Sequence, residues 1–107
     1  MNITNQREGN QLSVALEGKL DTASAPLLET FIKEELSGVD LLVLDLAKLK
    51  YTSSAGLRTI VLAQKTMNKQ GKMILKNVGE DIMDVFDMTG LLDLLTIESC
   101  LIIFFTL

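Results

Sequence analysis

Two adjacent serines, Ser53 and Ser54, stand directly before Ala55-Gly56 in the stretch LKYTSSAGLRTI, residues 49–60, where a hydrophobic run gives way to helical spacing. A short hydroxyl at such a junction accepts a hydrogen bond from one of the unpaired backbone N–H groups of the first helical turn. The same N–H groups and the helix dipole favour an anion, so a serine there can also bear a phosphate. From the residues alone, a cap and a chemical site both stay open. Nucleophilic catalysis has little support: the chain contains no histidine, which removes Ser-His-Asp and Cys-His chemistry together with every His-ligated metal site. A Ser-Lys pair would need a lysine brought to Ser54, and no pattern points to one. No catalytic residue, metal or cofactor is therefore expected.

The surrounding elements can be read from periodicity. QLSVALE, residues 11–17, alternates with Leu12, Val14 and Leu16 on one face, as a strand packed on one side does. The segment before it, with Gly9-Asn10, supplies a short first strand and a hairpin turn. From Asp21 to Gly38, Leu27, Leu28, Phe31, Ile32 and Leu36 recur at helical spacing, with Pro26 in the first turn and Gly38 at the stop. Leu41 to Leu44 show no alternation, which predicts a central strand covered on both faces and leading into the Ser53-Ser54 junction. Beyond it, Ile60, Val61 and Met67 share a helix side from which Arg58, Gln64, Lys65 and Asn68 are excluded, up to Gly71. KMILKNV returns to strand, making a strand-helix-strand unit whose two strands are expected to be parallel, GEDIMDVFDMTG forms a shorter helix with Ile82, Met83 and Phe86 inward, and a last short strand lies around Leu95 to Ile97. Met73, Met83 and Met88 read as core filler.

The chain of 107 residues is one domain by length, with ten basic and fourteen acidic side chains and a net charge of -4, the wrong sign for a nucleic-acid partner. A lone cysteine, Cys100, allows no internal disulfide, and the polar start MNITNQREGN lacks the apolar stretch of a signal peptide, so a cytoplasmic setting is expected. CLIIFFTL at the end is too short for a membrane span.

Three motifs, GKLDTASA at 18–25, LDLAKLKYTSSAGLR at 44–58 and VFDMTGL at 85–91, resemble in order and spacing the STAS domain of bacterial anti-sigma factor antagonists, over almost the whole chain from Ile3 to about Ile97. The resemblance implies an α/β fold with a mixed sheet of about five strands and helices mainly on one face. It implies a protein that binds an anti-sigma factor, itself a serine kinase, and is phosphorylated by it, with a phosphatase restoring the unphosphorylated form. The family's usual Asp-Ser-Ser/Thr-Gly motif, laid on this chain, puts Ser53 at the aspartate and Ser54 at the phosphate acceptor, with Ser53 as a substitute acceptor. Asp21 matches the family's loop aspartate. Phe86 and Gly90 match a Phe-x-x-Ser/Thr-Gly segment read as structural. The partner-binding set is then Asp21, Thr22, Ser53, Ser54, Gly56, Leu57 and Arg58. Two functions follow as alternatives: a phosphorylation-controlled binding module, or a scaffold subunit of a transport or signalling complex in which Ser54 is only a cap. The family's usual closing amphipathic helix has no counterpart in the apolar tail, residues 98–107, and an exposed apolar terminus would favour self-association, which leaves the oligomeric state open.

Overall fold

The computed structural model describes residues 1–98. An opening hairpin pairs β1 (Asn2–Glu8) antiparallel with β2 (Gln11–Leu20). There follow α1 (Ala25–Glu35), β3 (Leu41–Thr52), α2 (Ser54–Asn68), β4 (Lys72–Lys76), α3 (Glu80–Met88), a 3-10 turn at Leu91–Asp93 and β5 (Ile97–Glu98). The strands lie in chain order, β1-β2-β3-β4-β5, and every neighbouring pair after the hairpin is parallel. Parallel neighbours joined through a helix require a right-handed crossover, and three such steps taken in one direction put α1, α2 and α3 on one face. The α/β mixed sheet with helices on one face agrees with the expectation.

The buried face of the sheet carries Leu12, Val14, Leu16, Leu42, Leu44, Met73 and Leu75, which meet Leu28 and Ile32 of α1, Ile60, Ala63 and Met67 of α2, and Ile82 and Phe86 of α3. Each fully buried leucine or phenylalanine contributes about 1.5–3 kcal/mol relative to exposure, so this layer is what holds the helices on the sheet. The expectation of a central strand covered on both faces is corrected. Leu42 and Leu44 are buried but Leu41, Val43 and Asp45 are half-buried on the face without helices, so β3 alternates, and its apolar open-face residues conceal the period.

β3 also runs on past Asp45, its last residue paired with β4, through residues 46–52 alongside β2. Two bulges, between Ala15 and Glu17 and between Gly18 and Lys19, shift the β2–β3 register over this extension. Leu46, Leu49 and Thr52 are thereby all turned inward at a spacing of three, which simple pleating would forbid. The extension brings Leu20 opposite Thr52 and delivers the chain to the start of α2.

Four smaller expectations are corrected. Met88, read as core, is 85% exposed, and Leu27 is also exposed, because each lies off the stripe its helix packs, Ile82–Phe86 in α3 and Leu28–Ile32 in α1. Gln64, read as outward, is buried. The last strand is Ile97–Glu98, with buried Leu95 preceding it. Phe86 is fully buried and Gly90 has φ 75°, a left-handed conformation that glycine adopts without steric cost, as the third motif implied. Among the described residues no helix is long and apolar enough to cross a membrane. Apart from Glu98, the apolar tail at 98–107 and the self-association expected of it lie outside the described residues.

Candidate functional site

The ends of β2 and β3 and the starts of α1 and α2 meet at one edge of the sheet, the carboxyl end of its parallel strands, where open α/β sheets place their binding sites. Two loops build this edge, residues 21–24 after β2 and residue 53 after β3.

Ser53 is the N-cap of α2. Its backbone is extended, φ -94° and ψ 175°, and its Oγ accepts the N–H of Gly56 at 3.3 Å. Its own N–H donates to the carbonyl of Leu20 at 2.9 Å, and its carbonyl accepts the N–H of Leu57 at 2.9 Å to begin the helical ladder. One residue thus ties the helix start to β2 and satisfies part of the first turn. Ser54, the first helical residue, is exposed, and its hydroxyl has no hydrogen-bond partner among the described residues. The two hydroxyls have therefore separated: one is used by the backbone and the other faces outward.

Gly56 is buried against β2. A Cβ there would come within 2.6 Å of the Leu20 carbonyl oxygen and of Thr52 Oγ1, so its part at this edge is to let α2 seat closely. Leu57 is buried beside it, whereas Arg58 is exposed and has neither an ion-pair nor a hydrogen-bond partner among the described residues.

Asp21 organises the other loop. Its Oδ1 accepts the N–H of Ala23 at 3.1 Å and of Ser24 at 3.0 Å and lies 3.1 Å from Ser24 Oγ. The Ser24 hydroxyl donates to the carbonyl of Lys19 at 2.8 Å and accepts the N–H of Asp21 at 2.9 Å, and Ala25 begins α1 by donating to the Asp21 carbonyl. The N–H of Ser24, joined by the N–H of Ala23, favours the ionised carboxylate and holds Asp21 below its usual 3.8. Ser24, buried at the centre of this network, was missed as a partner of Asp21, because its link to Lys19 crosses from loop to strand. Thr22 is exposed at the loop's tip.

Between the starts of α1 and α2 lies a shallow groove of about 340 Å³, lined by Thr22, Ala25, Pro26, Glu29, Ala55, Arg58, Thr59 and Leu62. On the other flank of α2 a more apolar groove of about 370 Å³ is lined by Leu57, Arg58, Val61, Leu62, Lys65, Thr89 and Leu91. Arg58 borders both. The structure thus gathers Thr22 and Arg58 on one groove and Leu57 and Arg58 on the other, with Ser54 at the head of the ridge between them. Val61, Leu62, Lys65 and Leu91 extend this surface and were not foreseen; the signal was present in Leu62, an apolar residue off the buried stripe of α2.

A STAS domain family model matches residues 2–101. The anti-sigma-B factor antagonist of Bacillus subtilis (strain 168) is 33% identical over 101 residues, which cover 92% of this chain and 92% of that protein. An anti-sigma factor antagonist from Mycobacterium paratuberculosis has a similar crystal structure, with TM-score 0.81 and 21% identity over 90% of this chain and 83% of that one. The Bacillus cell fate determinant SpoIIAA, solved in its phosphorylated form, aligns with TM-score 0.72 and 16% identity over 92% of this chain and 93% of that one.

Proposed function

Because this chain belongs to the STAS-domain family of anti-sigma factor antagonists, we propose that it binds an anti-sigma factor kinase in the cytoplasm and that phosphorylation of Ser54 ends the association. The observation that supports this most is the division between the serines: Ser53 holds the cap, so modifying the exposed Ser54 leaves the fold's own hydrogen bonds intact. A phosphate there adds about -1.5 to -2 charge, which the helix N-terminus partly offsets. That a fold relative has been solved in a phosphorylated form agrees with a scaffold that tolerates the group. A partner packed over the same ridge would have to desolvate a bulky dianion, at a cost on the order of several kcal/mol, enough to convert binding into release. A phosphatase then resets the protein.

Loss of the family's aspartate before the acceptor is compatible with this chemistry, since Ser53 performs the capping that a carboxylate would perform. Incubation with a cognate anti-sigma factor kinase and ATP should add one phosphate, mapped by mass spectrometry to Ser54. Ser54→Ala should abolish the modification while the complex still forms. An unmodified protein whose binding is also indifferent to Ser54→Asp would instead be the constitutive scaffold.

A further inference from the structure

We infer that Arg58 is the internal receptor for a phosphate on Ser54, a positioning residue that folds back on the modified serine; the inference rests on the phosphorylation proposed above. Ser54 and Arg58 are both exposed and stand four residues apart in α2, so they are neighbours on one helix face with Cβ atoms about 5–6 Å apart. The anionic position lies N-terminal to the cationic one, the order that also agrees with the helix dipole. Arg58 is uncommitted among the described residues, whereas Lys33 and Lys48 already pair with Glu29 at 3.1 Å and Glu17 at 4.0 Å. Glu29, the carboxylate sharing a groove with Arg58, is thus engaged on its own helix.

The helix terminus cannot hold the phosphate fully by itself. Ser53 Oγ occupies the Gly56 N–H, and the N–H groups of Ser53 and Leu57 are bonded to carbonyls, so among the described residues only the amides of Ser54 and Ala55 remain open in the first turn. A guanidinium supplies a planar fork that meets two phosphate oxygens at once, which a lysine cannot reproduce. Captured in this way, Arg58 leaves both grooves that it borders, and one modification alters the surface on each flank of α2.

The test uses the full chain with phosphoserine inserted at position 54 during translation, in the parent and in Arg58→Gln and Arg58→Lys variants, titrated by phosphorus NMR. Capture predicts a second phosphate pKa roughly 0.15–0.4 of a unit lower in the parent than in Arg58→Gln, with Arg58→Lys between them. It also predicts a shifted Arg58 Nε resonance in the modified parent. The charged groups on the adjoining elements, Asp21, Glu29 and Lys50, are common to all three proteins and offset the curves alike. Coincident titrations of parent and Arg58→Gln, with an unmoved Nε resonance, would overturn the inference. Since no kinase installs the phosphate here, failure of the cognate kinase to modify Ser54 sinks the proposed function without touching this result.

Discussion

The carbonyl oxygen of Leu20 stands so close to Gly56 that a Cβ on the glycine would lie 2.6 Å from it. Thr52 Oγ1 is equally near, and both neighbours belong to the strand ends that the bulged β2–β3 ribbon brings together. The close approach sets the depth at which α2 seats, and at that depth the Ser53 N–H reaches the Leu20 carbonyl. Packing at Gly56 therefore decides where Ser54 is presented.

Gly56→Ala tests this relationship. Alanine is the better helix former by about 1 kcal/mol, so propensity alone predicts a more stable protein. Overpacking against a backbone carbonyl, which cannot rotate away as a flexible side chain would, predicts the reverse, a loss of roughly 1–3 kcal/mol. Thermal unfolding should show a lower Tm; an unchanged or raised Tm would mean that α2 does not seat on Leu20 as described.

The separated serines give opposite stability expectations. Ser53→Ala removes the cap on Gly56 and should cost about 1 kcal/mol, whereas Ser53→Asp keeps an acceptor there and should cost little or stabilise through the helix dipole. Ser54→Ala removes no observed bond and should stay within about 0.5 kcal/mol of the parent. Urea unfolding of the three variants measures all of these, and equal losses at both serines would refute the division of roles.

Much of this edge was legible because its signals are local. Serines before Ala-Gly at a change of period mark a helix start, and Phe86 and Gly90 announce their burial and turn by residue type. The length of β3 was not legible, since the bulges place Leu46, Leu49 and Thr52 inward at a spacing that matches neither strand nor helix over so short a run. Leu41 and Val43 misled for another reason: apolar side chains on an uncovered face look the same in sequence as those on a covered one. Gln64 and Met88 show that residue type predicts average burial, while the stripe a helix actually packs depends on its neighbours.

Asp21 should make stability depend on acid pH in a definite direction. Its folded pKa is lowered by the Ser24 and Ala23 bonds, so its contribution is fully present above the unfolded value, about 3.9, and is lost as pH falls through the folded one. The Tm advantage of the parent over Asp21→Asn should accordingly be constant above about pH 5 and shrink below about pH 4. Paired melts across this range cancel the other carboxylates, which both proteins share. A difference that stayed constant down to pH 2 would remove Asp21 as the organiser of the loop.

Gln64 offers a prediction in the stabilising direction. It is buried in α2, its Nε2 donates to Asn68 Oδ1 at 2.8 Å, and its Oε1 has no partner among the described residues. A buried acceptor left unpaired costs about 1–3 kcal/mol, more than the roughly 1 kcal/mol that the bond to Asn68 returns. Methionine has a similar unbranched shape and no polar group to satisfy, and its helix propensity matches that of glutamine. Gln64→Met should therefore be neutral or raise stability by about 1 kcal/mol, some 4–8 °C in Tm for a domain of this size. Because position 64 lies on the buried side of α2, away from Ser54 and Arg58, the variant should leave the phosphorylation proposed for Ser54 unchanged. A marked loss of stability would mean that the Oε1 has a partner, and that the amide belongs to a network rather than to an imperfectly filled core.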